Sequence, residues 1–384
     1  MVKTGKLSAE FLNVESEFAA MSAVIGASAA GARTYTATAS QGLLFMSEAV
    51  YNASGLGLPI VMTVANRAIG APINIWNDHS DAMSQRDAGW IQLYAESNQE
   101  ALDLHIQAFR IAEELSNPVM VCMDGFLLTH ASERVDLPEP DQVDAFLPTY
   151  EPRQVLDPAA PISIGAMVGP EAFTEVRYLA HQRMQDALGF IPAVAAEFRA
   201  RFGRASGGLV KPYRIEDAEL VVVALGSVTG TLQDAVDELR ADGKRIGVLG
   251  ITAFRPFPVD AVREVLGTDR RLRRIVVLER ALAPGTGDIV TADVRRALAA
   301  EDGKPPHAPD AIVSTVVAGL GGRAVTRASL RGMLLSAADG QLAPLSFLDL
   351  DTRLVGRELA RMRATRQSGP NAENLLRDLS RKGA

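Results

Sequence analysis

NVESEFAAMSAVIGASAAG (13–31), followed after Ala32 by RTYTATASQG (33–42), is the stretch that decides the fold. Residues 18–30 are small and apolar and read as a buried helix closed by Gly31, with two acids, Glu15 and Glu17, at its start. Residues 33–39 are Thr-rich and strand-like. Ser40-Gln41-Gly42 then opens a helix predicted over 41–55, and 59–65 is a continuous apolar run fit for a central parallel strand. A helix over 98–115 with Asn98 as its cap, and a buried strand over 119–123, complete the pattern. Strand and helix in alternation mean βαβ units and a parallel sheet.

Working outward, the composition changes at 136–166, where Pro138, Pro140, Pro148, Pro152, Pro158 and Pro161 fall close together. This reads as an ordered or semi-extended crossover. Residues 171–202 carry apolar side chains at helical spacing, with Gly189 and Pro192 expected to kink or split the helix. Four strand–helix units follow, with strands at 220–225, 245–251, 274–278 and 311–317, enough for a small, self-sufficient α/β domain. From about Asp351 the chain is charged and poorly patterned, either a helical tail for a partner or partly disordered. The expected division is 1–135, 136–205, 206–350 and 351–384.

Bulk properties narrow the function. With 384 residues, 47% hydrophobic and 22% charged, the chain can bury two or three cores. Its 39 basic and 46 acidic residues are mixed along the chain, net charge -7, with no basic stripe for nucleic acid. No apolar run is long enough to span a bilayer, and no secretory signal opens the chain, so a reducing cytoplasm is expected. Cys122 is the single cysteine, which leaves no intrachain disulfide and no Cys-ligated cluster. The five histidines lack metal-ligand spacing, so no metal site is expected in this chain.

By pattern alone, Glu15 and Glu17 read first as first-turn acids that complement the helix dipole. The alternative is chemical: a glutamate opening a helix of small residues suits an enzyme in which a carboxyl must hydrogen-bond a cofactor ring nitrogen. Arg67 follows the apolar strand and so stands at its carboxyl end, where parallel sheets bind ligands. Its guanidinium suits a carboxylate clamp; an ion pair with Asp78, Asp81 or Asp87 is the equal alternative. The irregular stretch IGAPINIWNDHSDAMSQRDAGW (69–90) suits an active-site loop, in which His79 is a minor candidate base. LGSVTGT (225–231) follows a strand and invites a nucleotide reading, but it lacks GxGxxG spacing.

Residues 14–103, then GLVKPYRIEDAELVVVALGSVTGT (208–231), ITAFRPFP (251–258) and AGLGGRAVT (318–326), resemble the alpha subunit of the pyruvate:ferredoxin (2-oxoacid:ferredoxin) oxidoreductase family. The resemblance implies an α/β fold: a parallel-sheet domain of the type that binds the pyrimidine of thiamine diphosphate, N-terminally shortened, and then a domain like the C-terminal domain of transketolase-like enzymes, serving assembly. It makes Glu17 the activator at the thiamine N1′ atom, Arg67 of the Ala65-Asn66-Arg67-Ala68 motif the substrate clamp, and Ser40, Gln41 and Gly42 cofactor-binding residues. The implied activity is oxidative decarboxylation of a 2-oxoacid, pyruvate by the 76–87 block, to an acyl-coenzyme A, with electrons passed to ferredoxin. Branched-chain 2-oxoacid enzymes carry similar alpha subunits, and a noncatalytic scaffold is the reading from another class; a nucleotide-binding dehydrogenase rests only on the second α/β domain.

No GDG-type sequence with a following Asn occurs. The resemblance assigns Mg2+ and the diphosphate grip to a beta subunit, and [4Fe-4S] clusters to partner chains, with gamma and delta subunits completing a larger hetero-oligomer. Family alpha subunits also carry an earlier strand and helix with a Tyr-Pro-x-Thr-Pro turn, so a sheet edge or apolar face is expected to stand uncovered here.

Overall fold

The computed structural model describes residues 2–267, 271–300, 307–308, 310–365 and 369–381. Its first part runs α1 (Glu17–Ala29), β1 (Thr34–Thr38), α2 (Gln41–Phe45), α3 (Ser47–Gly55), β2 (Ile60–Asn66), α4 (Ser80–Ser84), β3 (Ile91–Tyr94), α5 (Asn98–Leu115) and β4 (Val119–Asp124). Then come α6 (Pro140–Phe146) and α7 (Phe173–Phe202). The later part runs β5 (Val210–Tyr213), β6 (Leu220–Ala224), α8 (Val228–Ala241), β7 (Ile246–Ile251), β8 (Ala253–Arg255), α9 (Val259–Leu266), β9 (Arg274–Glu279), α10 (Val290–Leu298), β10 (Ile312–Val317), α11 (Arg327–Ala338) and β11 (Leu345–Phe347). Two helices close it, α12 (Thr352–Ala364) and α13 (Asn371–Ser380).

The first sheet has the order β1-β2-β4-β3-β8, parallel except for β8. Its inner strands β2 and β4 are apolar on both faces because both are covered. Ile60, Met62, Val64, Met120 and Cys122 pack with α1 to α4, whereas Val61, Val119 and Val121 pack with α5 and α7. Each such side chain contributes roughly 1.5–3 kcal/mol on burial, which fixes the strands more firmly than propensity does. β1 lies at the sheet edge with Tyr35 51% exposed.

The second sheet has the order β11-β10-β9-β6-β7-β5, with β5 antiparallel to β7. This part is joined to the first. Immediately after β7 the chain crosses to the first sheet, where β8 pairs with β3, Leu93 opposite Ala253. Phe254 packs edge-on against Tyr94 at 6.1 Å, and one apolar core runs through both sheets.

Several elements differ from the sequence reading. The helix expected over 41–55 is broken at Met46 into α2 and α3. The cap of α5 is Ser97, whose hydroxyl accepts from Glu100 N–H, and Asn98 is the first helical residue. Helix α7 runs 30 residues through Gly189 and Pro192. An interior proline costs about 3 kcal/mol; burial of Ile191, Val194 and Phe198, at roughly 1.5–3 kcal/mol each, outweighs it. The tail is helical, and Glu358 of α12 is buried against Asn374 of α13. Among the described residues, no helix is long and apolar enough to cross a membrane.

Candidate functional site

The carboxyl ends of β1, β2 and β4 bring the predicted residues together. Ser40, just after β1, is buried and holds φ 53°, in the left-handed range that L residues rarely adopt. Its N–H donates to Asp81 Oδ2 at 2.9 Å, and its hydroxyl donates to the Ala68 carbonyl. The turn therefore lies against the chain that leaves β2. Gln41 Nε2 reaches the Gly70 carbonyl at 3.4 Å.

Gly42 lets the Glu17 side chain lie close against its backbone. A Cβ on Gly42 would sit 2.7 Å from Thr38 Oγ1 and 2.9 Å from both Glu17 Cγ and Oε1, so the Glu17 side chain lies directly over this glycine. Thr38 Oγ1 is buried there and has no hydrogen-bond partner among the described residues. Glu17 itself is exposed in the single chain, at the first turn of α1 after the Ser16 cap. This chain therefore closes no apolar pocket around it. Exposed aromatic side chains lie beside it instead: Phe18, the next residue, is 38% exposed and Phe45 60%, their rings 6.4 Å apart.

Arg67 is half-buried, one residue past β2. Its N–H donates to Asp81 Oδ2 at 2.9 Å, and its side chain passes over Gly125, where a Cβ would meet Arg67 Cγ at 2.8 Å. Its guanidinium makes no ion pair with a described residue. The alternative partners are otherwise engaged: Asp78 accepts from Ser80 and Gly321 N–H, Asp87 lies 3.8 Å from Arg86, and Asp81 is filled by N–H donors. Asp81 was considered in the sequence only as a side-chain partner for Arg67. Its burial was signalled by Ala82 and Met83, which continue the apolar core.

His79 belongs to a different structure. Its Nε2 is 2.6 Å from Asp124 Oδ1, and Arg280 and the Ser227 N–H donate to Asp124 Oδ2 at 3.1 and 3.0 Å, all of it buried between the two sheets. Burial raises the Asp124 pKa, but the charges of His79 and Arg280 outweigh it and hold the carboxyl well below the usual range. A lone base for substrate is thereby excluded; His79 is part of a clamp. The same clamp explains LGSVTGT. Gly226, at φ 73°, lies so close to Asp124 and His79 that a Cβ would meet them at 3.1–3.2 Å. AGLGGRAVT works alongside it: Gly322 N–H donates to Asn77 O at 2.6 Å, and its missing Cβ leaves room for Trp76.

A cleft of about 1010 Å3 lies at the other end of the first sheet, beside Gly89, Asn117 and the Arg255-Pro256-Phe257-Pro258 turn. It is remote from the carboxyl ends of the parallel strands, where ligands bind in open α/β sheets, and its lining includes neither Glu17 nor Arg67 nor the Ser40–Gly42 turn. Among the described residues, no three His, Cys, Asp or Glu side chains converge as metal ligands.

Comparison with known proteins follows the same division. Residues 1–195 match the family model described as "Pyruvate flavodoxin/ferredoxin oxidoreductase, thiamine diP-bdg", and 218–330 match "Pyruvate:ferredoxin oxidoreductase core domain II". The chain is 53% identical over 281 residues to pyruvate synthase subunit PorA of Methanosarcina barkeri, covering 73% of this chain and 69% of that one. It is 46% identical over 328 residues to PorA of Pyrococcus abyssi, covering 85% and 80%. Ketoisovalerate oxidoreductase subunit VorA of Pyrococcus horikoshii is 38% identical over 326 residues, covering 85% and 80%. The fold matches 2-oxoglutarate:ferredoxin oxidoreductase from Magnetococcus marinus at TM-score 0.59 and 17% identity, over 88% of this chain and 58% of that one. On these matches, and with two parallel α/β sheets whose strand ends gather its most distinctive motifs, the chain belongs to the pyruvate flavodoxin/ferredoxin oxidoreductase family.

Proposed function

We propose that this chain is the alpha-type subunit of a 2-oxoacid:ferredoxin oxidoreductase and supplies the pyrimidine side of its thiamine diphosphate site. The substrate we assign is pyruvate, converted to acetyl-coenzyme A, on the strength of the PorA identities. The VorA relative favours one second reading, a branched-chain 2-oxoacid, at lower identity. One observation carries the site: an Arg67 guanidinium with no ion pair among the described residues, at the end of β2 and tied through Asp81 to the turn whose Gly42 lies under Glu17.

The residues fit the cofactor. The space beside Gly42 is one that a Cβ would fill, and it is bounded by a carboxylate and by a buried hydroxyl with no partner among the described residues. When bound, thiamine diphosphate supplies a nucleophilic carbon that adds to the oxoacid carbonyl and takes up the charge left by carbon dioxide. Glu17 would hold the proton shared with the ring nitrogen, and Ser40, Gln41 and Gly42 would wall the ring. Arg67 would clamp the substrate carboxylate and turn its carbonyl toward the cofactor; a planar fork suits that task.

A glutamate in this role works best out of water, where burial favours its protonated form. Glu17 and its exposed aromatic neighbours are therefore assigned to a contact with a beta subunit, which would also carry Mg2+ and the diphosphate. Gamma and delta subunits with [4Fe-4S] clusters would pass electrons to ferredoxin, and coenzyme A would take the acyl group. With its one cysteine buried and free, the chain suits the reducing cytoplasm.

The test is co-expression with the beta partner. The complex should reduce a low-potential acceptor in the presence of a 2-oxoacid, coenzyme A and thiamine diphosphate, with pyruvate preferred over 2-oxoisovalerate. Glu17→Gln should lose that turnover with its subunits still assembled; full turnover would remove Glu17 from the chemistry and favour a scaffold.

A further inference from the structure

The geometry points to Asp81 as a positioning residue that locks the cofactor-side turn to the substrate-side strand end, one carboxylate fixing both halves of the site. The inference deepens the functional reading above and rests on it. Asp81 is completely buried, and its two oxygens take four donors. Oδ2 accepts from Ser40 N–H and Arg67 N–H, each at 2.9 Å. Oδ1 accepts from Asn66 Nδ2 and Ala82 N–H, each at 2.8 Å. The two donors on Oδ2 come from the ends of different strands, β1 and β2, and the Ser40 hydroxyl on the Ala68 carbonyl adds a second tie between the same two strand ends. Ser40 is held there at φ 53°, against the preference of its own backbone.

Nothing positive touches the carboxylate. The elements packed on α4, namely α2 and β2, carry no titratable side chain. Beyond them Tyr94 of β3 and Cys122 of β4 lie within electrostatic reach, both neutral because burial pushes their pKa values up, and Asp124 bears on Cys122 from the end of β4. Arg67 contributes its N–H alone.

A charge held only by N–H dipoles is sensitive to its own proton. Burial raises the Asp81 pKa to about 6, although its four hydrogen bonds oppose the shift. Once protonated, one of its oxygens becomes a donor and cannot accept from its neighbours as before. Ser40, held by that contact against its backbone preference, is the first group expected to relax, carrying Gly42 and the Glu17 cradle away from Arg67. Below about pH 6 the site should therefore loosen while the sheets stay intact.

The experiment uses the assembled complex. Hydrogen exchange is followed in wild type between pH 7.5 and 5.5, corrected for intrinsic rates, over 38–44, 66–68 and the buried strand 119–124. The expected result is a loss of protection of tenfold or more at 38–44 and 66–68 on acidification, with 119–124 unchanged. In parallel, KM for the oxoacid and the Kd of thiamine diphosphate should rise tenfold over the same range in wild type. In Asp81→Asn both should already be raised at pH 7.5 and be insensitive to pH. Unchanged protection in wild type overturns the proposal even if Asp81→Asn does not assemble. A variant with wild-type KM, Kd and pH dependence overturns it as well. Glu17→Gln separates the two levels: full turnover there sinks the functional reading, whereas an inactive Glu17→Gln beside a normal Asp81→Asn sinks only the role of Asp81.

Discussion

Asp124→Ala is the sharpest perturbation of the framework behind the site. Asp124 is 1% exposed, Arg280 4% and His79 1%, so the ionisable groups of the clamp are out of water. Removing the carboxylate leaves the Arg280 guanidinium with no ion pair to a described residue, beside an Nε that already lacks a partner. Breaking a buried ion pair by removing one partner costs about 3–5 kcal/mol. The Ser227 N–H loses its acceptor too, which adds about 1 kcal/mol or more. At roughly 2–4 °C per kcal/mol for a domain of this size, the melting temperature of the assembled complex should fall by roughly 10 °C or more. Asp124→Ala with Arg280→Met should recover much of the loss, because the orphan charge is then gone. A carboxyl whose folded pKa lies below its unfolded value stabilises above the unfolded value and loses that contribution as pH falls through the folded one. The share of the Asp124→Ala cost carried by the carboxylate's own charge should therefore shrink only below about pH 4. The assay is thermal and urea unfolding of the complex, beside KM at a temperature well below the transition. A stability change under about 1 kcal/mol, or lost turnover at unchanged stability, would refute a structural clamp and return His79 to the chemistry.

Three further outcomes follow from the site. Arg67→Ala should raise KM for the oxoacid by roughly 10- to 100-fold, the worth of a charge-assisted hydrogen bond, with a smaller effect on cofactor affinity; steady-state kinetics on the co-expressed complex checks it. Gly42→Ala puts a methyl 2.9 Å from Glu17 Oε1 and should displace that carboxylate, lowering kcat while the melting temperature moves by only a few degrees. A carboxyl with a folded pKa above its unfolded value contributes stability below the unfolded value and loses it as pH rises through about 6, as for Asp81. From pH 7 to 5 that group should therefore add about 1 kcal/mol to stability, visible as a urea midpoint difference between wild type and Asp81→Asn.

The parallel fold was legible because β2 and β4 are buried on both faces and so read as continuous apolar runs at 59–65 and 119–123. The ends of helices were less so. Ser97 and Asn98 are both good caps, and only the hydroxyl that reaches Glu100 N–H separates them. Pro192 predicted a break that packing overrode. The crossing of β8 into the first sheet left no local signal, since three residues after β7 read simply as a turn. Glu17, Arg67 and the Ser40–Gly42 turn could be named from their motifs. Asp81 could not be assigned, because three of its four donors are backbone N–H groups, two of them from the ends of neighbouring strands β1 and β2. The glycines of LGSVTGT and AGLGGRAVT likewise show their purpose only against Asp124, His79 and Trp76.

The most direct measurement is a structure of the co-expressed complex with thiamine diphosphate bound. A Glu17 oxygen should lie within hydrogen-bond distance of the pyrimidine nitrogen, under a neighbouring subunit, with Arg67 facing the carbon that receives the oxoacid. A Glu17 carboxylate left in bulk water, with no cofactor over Gly42, would contradict the account.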